Sequence, residues 1–87
     1  MIKQGETEEP RKFMNRVIRM ANEAFEGMGY KEREKLACSY FAAGLRDEEA
    51  RRMIAVHAKE RTADAIRIAS EVSSVIRPGR YLTENKT

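Results

Sequence analysis

This 87-residue chain holds one cysteine, one histidine and two prolines. A single thiol, Cys38, cannot close an internal disulfide, so the chain is no stapled secreted mini-domain. A reducing, cytoplasmic location fits better. One cysteine and His57 cannot build a Cys/His metal set, and no metal or cofactor is expected. The phosphate-cradling GxxxxGK[ST], the dinucleotide GxGxxG and the nucleophile-elbow GxSxG are all missing. Without a nucleophile–base pair the chain is expected to have no catalytic residues and not to be an enzyme. Five glycines and two prolines argue against collagen-like and turn-rich β structure. No apolar run approaches the roughly 18 residues that span a bilayer. No signal peptide is visible at Met1-Ile2-Lys3-Gln4, and none is expected.

What the chain does contain is charge and helical periodicity. At 10.0 kDa it allows one small domain with a thin core. Charged residues make up 36% and apolar residues 41%, which is wet but still foldable. The isoelectric point near 9.2 suggests an anionic partner until the charge is located. The stretch from Arg77 to Thr87 carries Arg77, Arg80 and Lys86 against Glu84, and so +2 of the net +3. The remaining body is nearly neutral, whereas phosphate-backbone binders concentrate their basic residues on one face.

Four helices are expected. The first starts after Thr7 as N-cap, with Glu8 and Glu9 in its opening turn and Pro10 tolerated there. Phe13, Met14, Val17, Ile18, Met20, Ala21, Ala24 and Phe25 recur at three-and-four spacing and form one face. Gly27 and Gly29 end it. The second helix runs from about Lys31 to Ala43, turns Leu36, Ala37, Tyr40, Phe41 and Ala43 inward, and stops at Gly44. The third begins after the N-cap Asp47, runs to about Lys59 and buries Ala50, Met53, Ile54 and His57. The fourth begins after Thr62 and carries Ala65, Ile68, Ala69, Val72, Val75 and Ile76 until Arg77-Pro78-Gly79 stops it. Ile2 to Glu6 reads as a short extended segment with a turn at Gly5. The fold class is therefore all-α: a helical domain over 1–77 and a polar, disordered tail over 78–87.

The amino-terminal stretch reads Gln4-Gly5-x-x-Glu8-x4-Phe13-x2-Arg16. It resembles the major homology region of retroviral and gypsy-type LTR-retrotransposon Gag proteins, here spanning 4–17. Tyr40-Phe41-Ala42-Ala43-Gly44-Leu45 resembles the aromatic-x-x-Gly-Leu step of retrotransposon Gag. Thr62-Ala63-Asp64-Ala65-Ile66-Arg67-Ile68-Ala69 is similar to the start of the final capsid helix. The resemblance implies a capsid C-terminal domain, a short strand followed by four helices, from an active retrotransposon or a host-domesticated relative. Such a domain would assemble a virus-like particle shell by homodimerisation and lattice contacts, behind an upstream capsid N-terminal domain. RNA would be met only through a separate segment, and a membrane not at all.

Gln4, Gly5, Glu8, Phe13 and Arg16 are the candidate structural network. Glu8 and Arg16 lie eight residues apart, roughly 12 Å along a helix, and helical side chains lean towards the amino end. Arginine offers a planar fork of donors, and the Gln4 amide can both donate and accept between the two charges. The resemblance implies that this network pins the leading segment to the first helix, with Phe13 anchoring the core beside it. It also implies the second helix as a dimer contact, where Glu32, Lys35, Leu36 and Ser39 adjoin on one side. A plainer reading makes Leu36 ordinary core and the charges a solvated face.

His57 reads as a packed histidine, Cys38 as a buried small residue and the methionines as core filler. Arg51 and Arg52 read as a solvated face, or as a polyanion contact inside a shell. Competing readings are a SCAN-like dimerisation module and a small helical nucleic-acid binder turning at Gly44-Leu45-Arg46-Asp47. Glu48 and Glu49 at the start of the would-be recognition helix argue against the latter.

Overall fold

The computed structural model describes residues 1–72, and the expectations for Val75, Ile76, the Arg77-Pro78-Gly79 stop and the 78–87 tail lie outside them. The described chain is all-α. Three helices are α1 (Pro10–Ala24), α2 (Tyr30–Gly44) and α3 (Glu48–His57), followed by α4 over 62–72. Among the described residues there is no strand, and the amino-terminal segment is extended without joining a sheet. No described helix is long and apolar enough to cross a membrane.

α1 starts later than its sequence suggests. Thr7 lies in a turn, and Glu9 is the N-cap, with extended backbone at φ −72° and ψ 152° and no side-chain cap bond. The cause is Pro10, whose ring bars the preceding residue from the helical region, so the helix can begin only at the proline itself. Glu8 and Glu9 consequently fall outside the first turn, and Glu8 is free for another role. α1 also ends before either glycine. Its C-cap is Phe25, and a turn from Phe25 to Met28 leads to Gly29, the N-cap of α2. Arg33 on α2 holds that loop by donating from Nη1 to the carbonyls of Glu26 (3.2 Å) and Met28 (3.0 Å).

The core is drawn from every helix. α1 contributes Phe13, Met14, Val17 and Ala21, and α2 contributes Ala37, Cys38 and Phe41. Leu45, Ala50, Ile54 and Ala58 come from α3 and its flanks, and Ala65, Ile68 and Ala69 from α4. The Phe13 and Phe41 rings stack at 5.4 Å between centroids and join α1 to α2. Phe25 stacks on Tyr40 at 6.2 Å, and both are half-buried. Ala24 and Ala43, expected inside, are exposed because they sit at the edges of faces that the aromatic residues already fill.

His57 is also exposed rather than inward. The buried line of α3 runs Ala50, Ile54, Ala58 at four-residue spacing, and His57 falls to one side of it. The helix start does follow the sequence. Asp47 Oδ1 accepts from the backbone N–H groups of Glu49 (2.9 Å) and Ala50 (3.1 Å).

α4 is capped from outside its own sequence neighbourhood. Glu34 on α2 accepts through Oε2 from the Thr62 N–H at 2.9 Å and from the Thr62 hydroxyl at 3.2 Å. A carboxylate there meets both the unpaired donors and the positive end of the helix dipole. A Glu34→Ala variant is expected to lose about 1 kcal/mol, within the usual worth of a cap. Thermal denaturation checks this, and Glu34→Gln should recover part of the loss by keeping an acceptor.

Candidate functional site

The five residues Gln4, Gly5, Glu8, Phe13 and Arg16 meet at one end of α1. A tight turn comes first, in which the Glu8 N–H donates to the Gly5 carbonyl at 3.2 Å. The Glu8 carboxylate then folds back, and Oε1 accepts from the Gly5 N–H at 2.8 Å. Arg16, in the second turn of α1, grips the same carboxylate with both arms of its fork. Nε donates to Oε2 at 2.8 Å, and Nη2 donates to Oε1 at 2.7 Å. Nη2 also donates to the Lys3 carbonyl at 2.7 Å. The guanidinium carbon stands 5.4 Å from the Phe13 ring centroid, so the charge rests against the ring that stacks on Phe41.

Gln4 has a different job from the one its sequence suggests. Its amide does not bridge the Glu8 and Arg16 side chains. Nε2 donates to the Glu8 backbone carbonyl at 2.7 Å, and Oε1 accepts from the Arg46 N–H at 3.0 Å. The Gln4 N–H donates to the Gly44 carbonyl at 2.9 Å. One residue thus ties the leading segment to the start of α1, the end of α2 and the α2–α3 connection. The backbone dictates this. The turn at Gly5 aims the amide towards the α2 terminus, while Arg16 reaches Glu8 unaided.

Electrostatics follow the geometry. The Arg16 hydrogen bonds, and after them the Gly5 N–H, hold the Glu8 carboxyl down at about 2, against an ordinary 4.5. Arg16 is shifted upward in turn by its hydrogen bond to Glu8.

Gly44 completes the arrangement. A Cβ at Gly44 would stand 2.5 Å from the Ile2 carbonyl oxygen, 2.7 Å from Phe13 Cζ and 3.3 Å from Lys3 Cα. α2 does end at Gly44, as the sequence suggests, but its φ is not positive, so glycine is required there for close approach and not for a left-handed cap. Gly44, the Lys3 carbonyl and the Arg46 N–H are participants that motif spacing missed. Only Gly44 lay within a segment that the family resemblance had singled out.

The second candidate set lies on α2. Glu32, Lys35 and Ser39 are exposed, and Leu36, expected inside, is only half-buried. At this spacing the four share one side of the helix. Cys38 lies beneath, fully buried, and burial, followed by the charges of Glu34 and Asp64, pushes its thiol up to about 11. It remains a protonated thiol at neutral pH and a poor nucleophile. Arg52 pairs with Glu49 on the exposed face of α3, while Arg51 donates to the Leu45 carbonyl at 2.8 Å. No family model, no curated protein and no solved structure matches this chain.

Proposed function

We propose that the chain is a Gag capsid C-terminal-like domain whose work is self-association into a shell, without covalent chemistry. One observation carries the reading. Gln4, Gly5, Glu8, Phe13 and Arg16, the positions that resemble the major homology region, converge on a single hydrogen-bonded and stacked unit. A set of residues that braces a leading segment against two helices suits a domain that must hold its shape in a lattice. The self-association face is the Glu32, Lys35, Leu36 and Ser39 side of α2. A two-fold axis there lets Glu32 of one copy meet Lys35 of the other. The patch is small, so pairwise affinity is modest and repeated contacts in a lattice supply persistence.

Sedimentation equilibrium over a range of protein concentrations tests this. A weak dimer is expected, abolished by Lys35→Glu and restored in the Glu32→Lys, Lys35→Glu double variant. A monomer at every concentration removes the self-association reading. Electron micrographs of the parent protein should show particles.

A further inference from the structure

A groove of about 420 Å³ runs between α2 and α3. Its floor is apolar, formed by Cys38, Ala42, Ile54 and Ala58, and its walls are the short side chains of Ser39, Ala43 and Ala55. Arg51 and Lys59 stand at its two ends, and among the described residues no carboxylate lines it. Beyond Arg51 and Ala43 it continues into a polar crevice of about 340 Å³ that adds Lys3 and Arg46, again with no carboxylate among the described residues. Among the described residues none of these four cations forms an ion pair. Arg51 is held in place by backbone carbonyls, those of Leu45 and Arg46, which fix its position without neutralising its charge.

A shallow apolar trough bounded by positive charge, with no described carboxylate to pair it, is complementary to a helix with one apolar face and acidic flanks. We propose that the α2–α3 groove docks an acidic amphipathic helix of a protein partner. Apolar side chains at i, i+3 and i+7 of that helix lie along the Ala42, Ile54 and Ala58 floor. Its carboxylates face Lys59 at one end and Arg51, Arg46 and Lys3 at the other. Short walls let the partner backbone come close. The proposal does not rest on the self-association reading, although Ser39 belongs to both surfaces.

The test is a heteronuclear NMR titration of the whole chain with a synthetic helical peptide bearing leucines at i, i+3 and i+7 between glutamates. A second peptide, with lysines in place of the glutamates, is the control. Amide shifts confined to 3–4, 38–46 and 51–59 with the acidic peptide only are the expected result. Lys59→Glu should weaken binding about tenfold, the scale of one charge contact. Ala55→Glu, at an exposed wall position, should abolish it. Either variant suffices should the other fail to fold. Equal binding of the lysine peptide, or shifts elsewhere on the surface, overturns the proposal. So do shifts at 51–59 that depend on protein concentration without peptide, since a second copy would then be the occupant; shifts around Ser39 alone would report the α2 self-association face instead.

Discussion

A Gly44→Ala variant is expected to be far less stable than the parent, against the ordinary rule for helices. Alanine at an interior helical position should stabilise by about 1 kcal/mol relative to glycine. Here the new methyl would meet the Ile2 carbonyl at 2.5 Å and Phe13 Cζ at 2.7 Å. Neither neighbour can yield cheaply. The first is backbone, held next to Gln4 by its bond to the Gly44 carbonyl, and the second belongs to a fully buried ring stacked on Phe41. Overpacking of this kind costs about 1–3 kcal/mol, sometimes more, and here it also pries the leading segment away. Urea denaturation should therefore show a midpoint well below the parent. A midpoint equal to the parent's or higher would mean that segment and α2 do not touch as described.

Arg16→Ala should lower the melting temperature by roughly 5–10 °C, a large shift for a domain of this size. The loss is dominated by what is left behind. Arg16 is 43% exposed, but Glu8 is only 17% exposed and would keep a carboxylate with one donor where it had three. The Lys3 carbonyl loses its partner as well. Arg16→Lys keeps the charge but not the fork, so it should fall between the two. Acid sets a further signature. The folded-state value of Glu8 is depressed to about 2 from 4.5. Its contribution is therefore complete above about pH 4.5 and fades as the pH falls towards 2. The gap between parent and Arg16→Ala should narrow across that window, with the variant showing the shallower acid dependence. A gap independent of pH would place the stabilisation in packing against Phe13 instead.

How much of this was legible in the sequence differs by element. The burial of Phe13, Met14, Val17 and Ala21 followed from their three-and-four spacing, because one helix face is a purely local property. The Asp47 cap was legible for the same reason, lying two and three residues from its donors. Thr7 was a plausible cap on composition, but the proline three residues later overruled it through a steric effect on Glu9. His57 followed the period of the helix, and the period ran out where the chain turns at Ala58. Within the clasp the Glu8–Arg16 pairing came from spacing and reach. Gln4's partners did not, since Arg46 and Gly44 lie some forty residues further on and only the docking of α1 against α2 brings them near. Glu34 was invisible as a cap for the same reason: Thr62 becomes its neighbour only once α4 has docked.

That long reach from Gln4 to Arg46, forty-two positions apart, fixes an order of events. Closing so wide a loop is entropically unfavourable until the two helices between its ends have already paired. The leading segment is therefore expected to fasten last on the way to the native state and to peel away first in transient openings, with the Arg46 amide exchanging before the interior amides of α1 and α2.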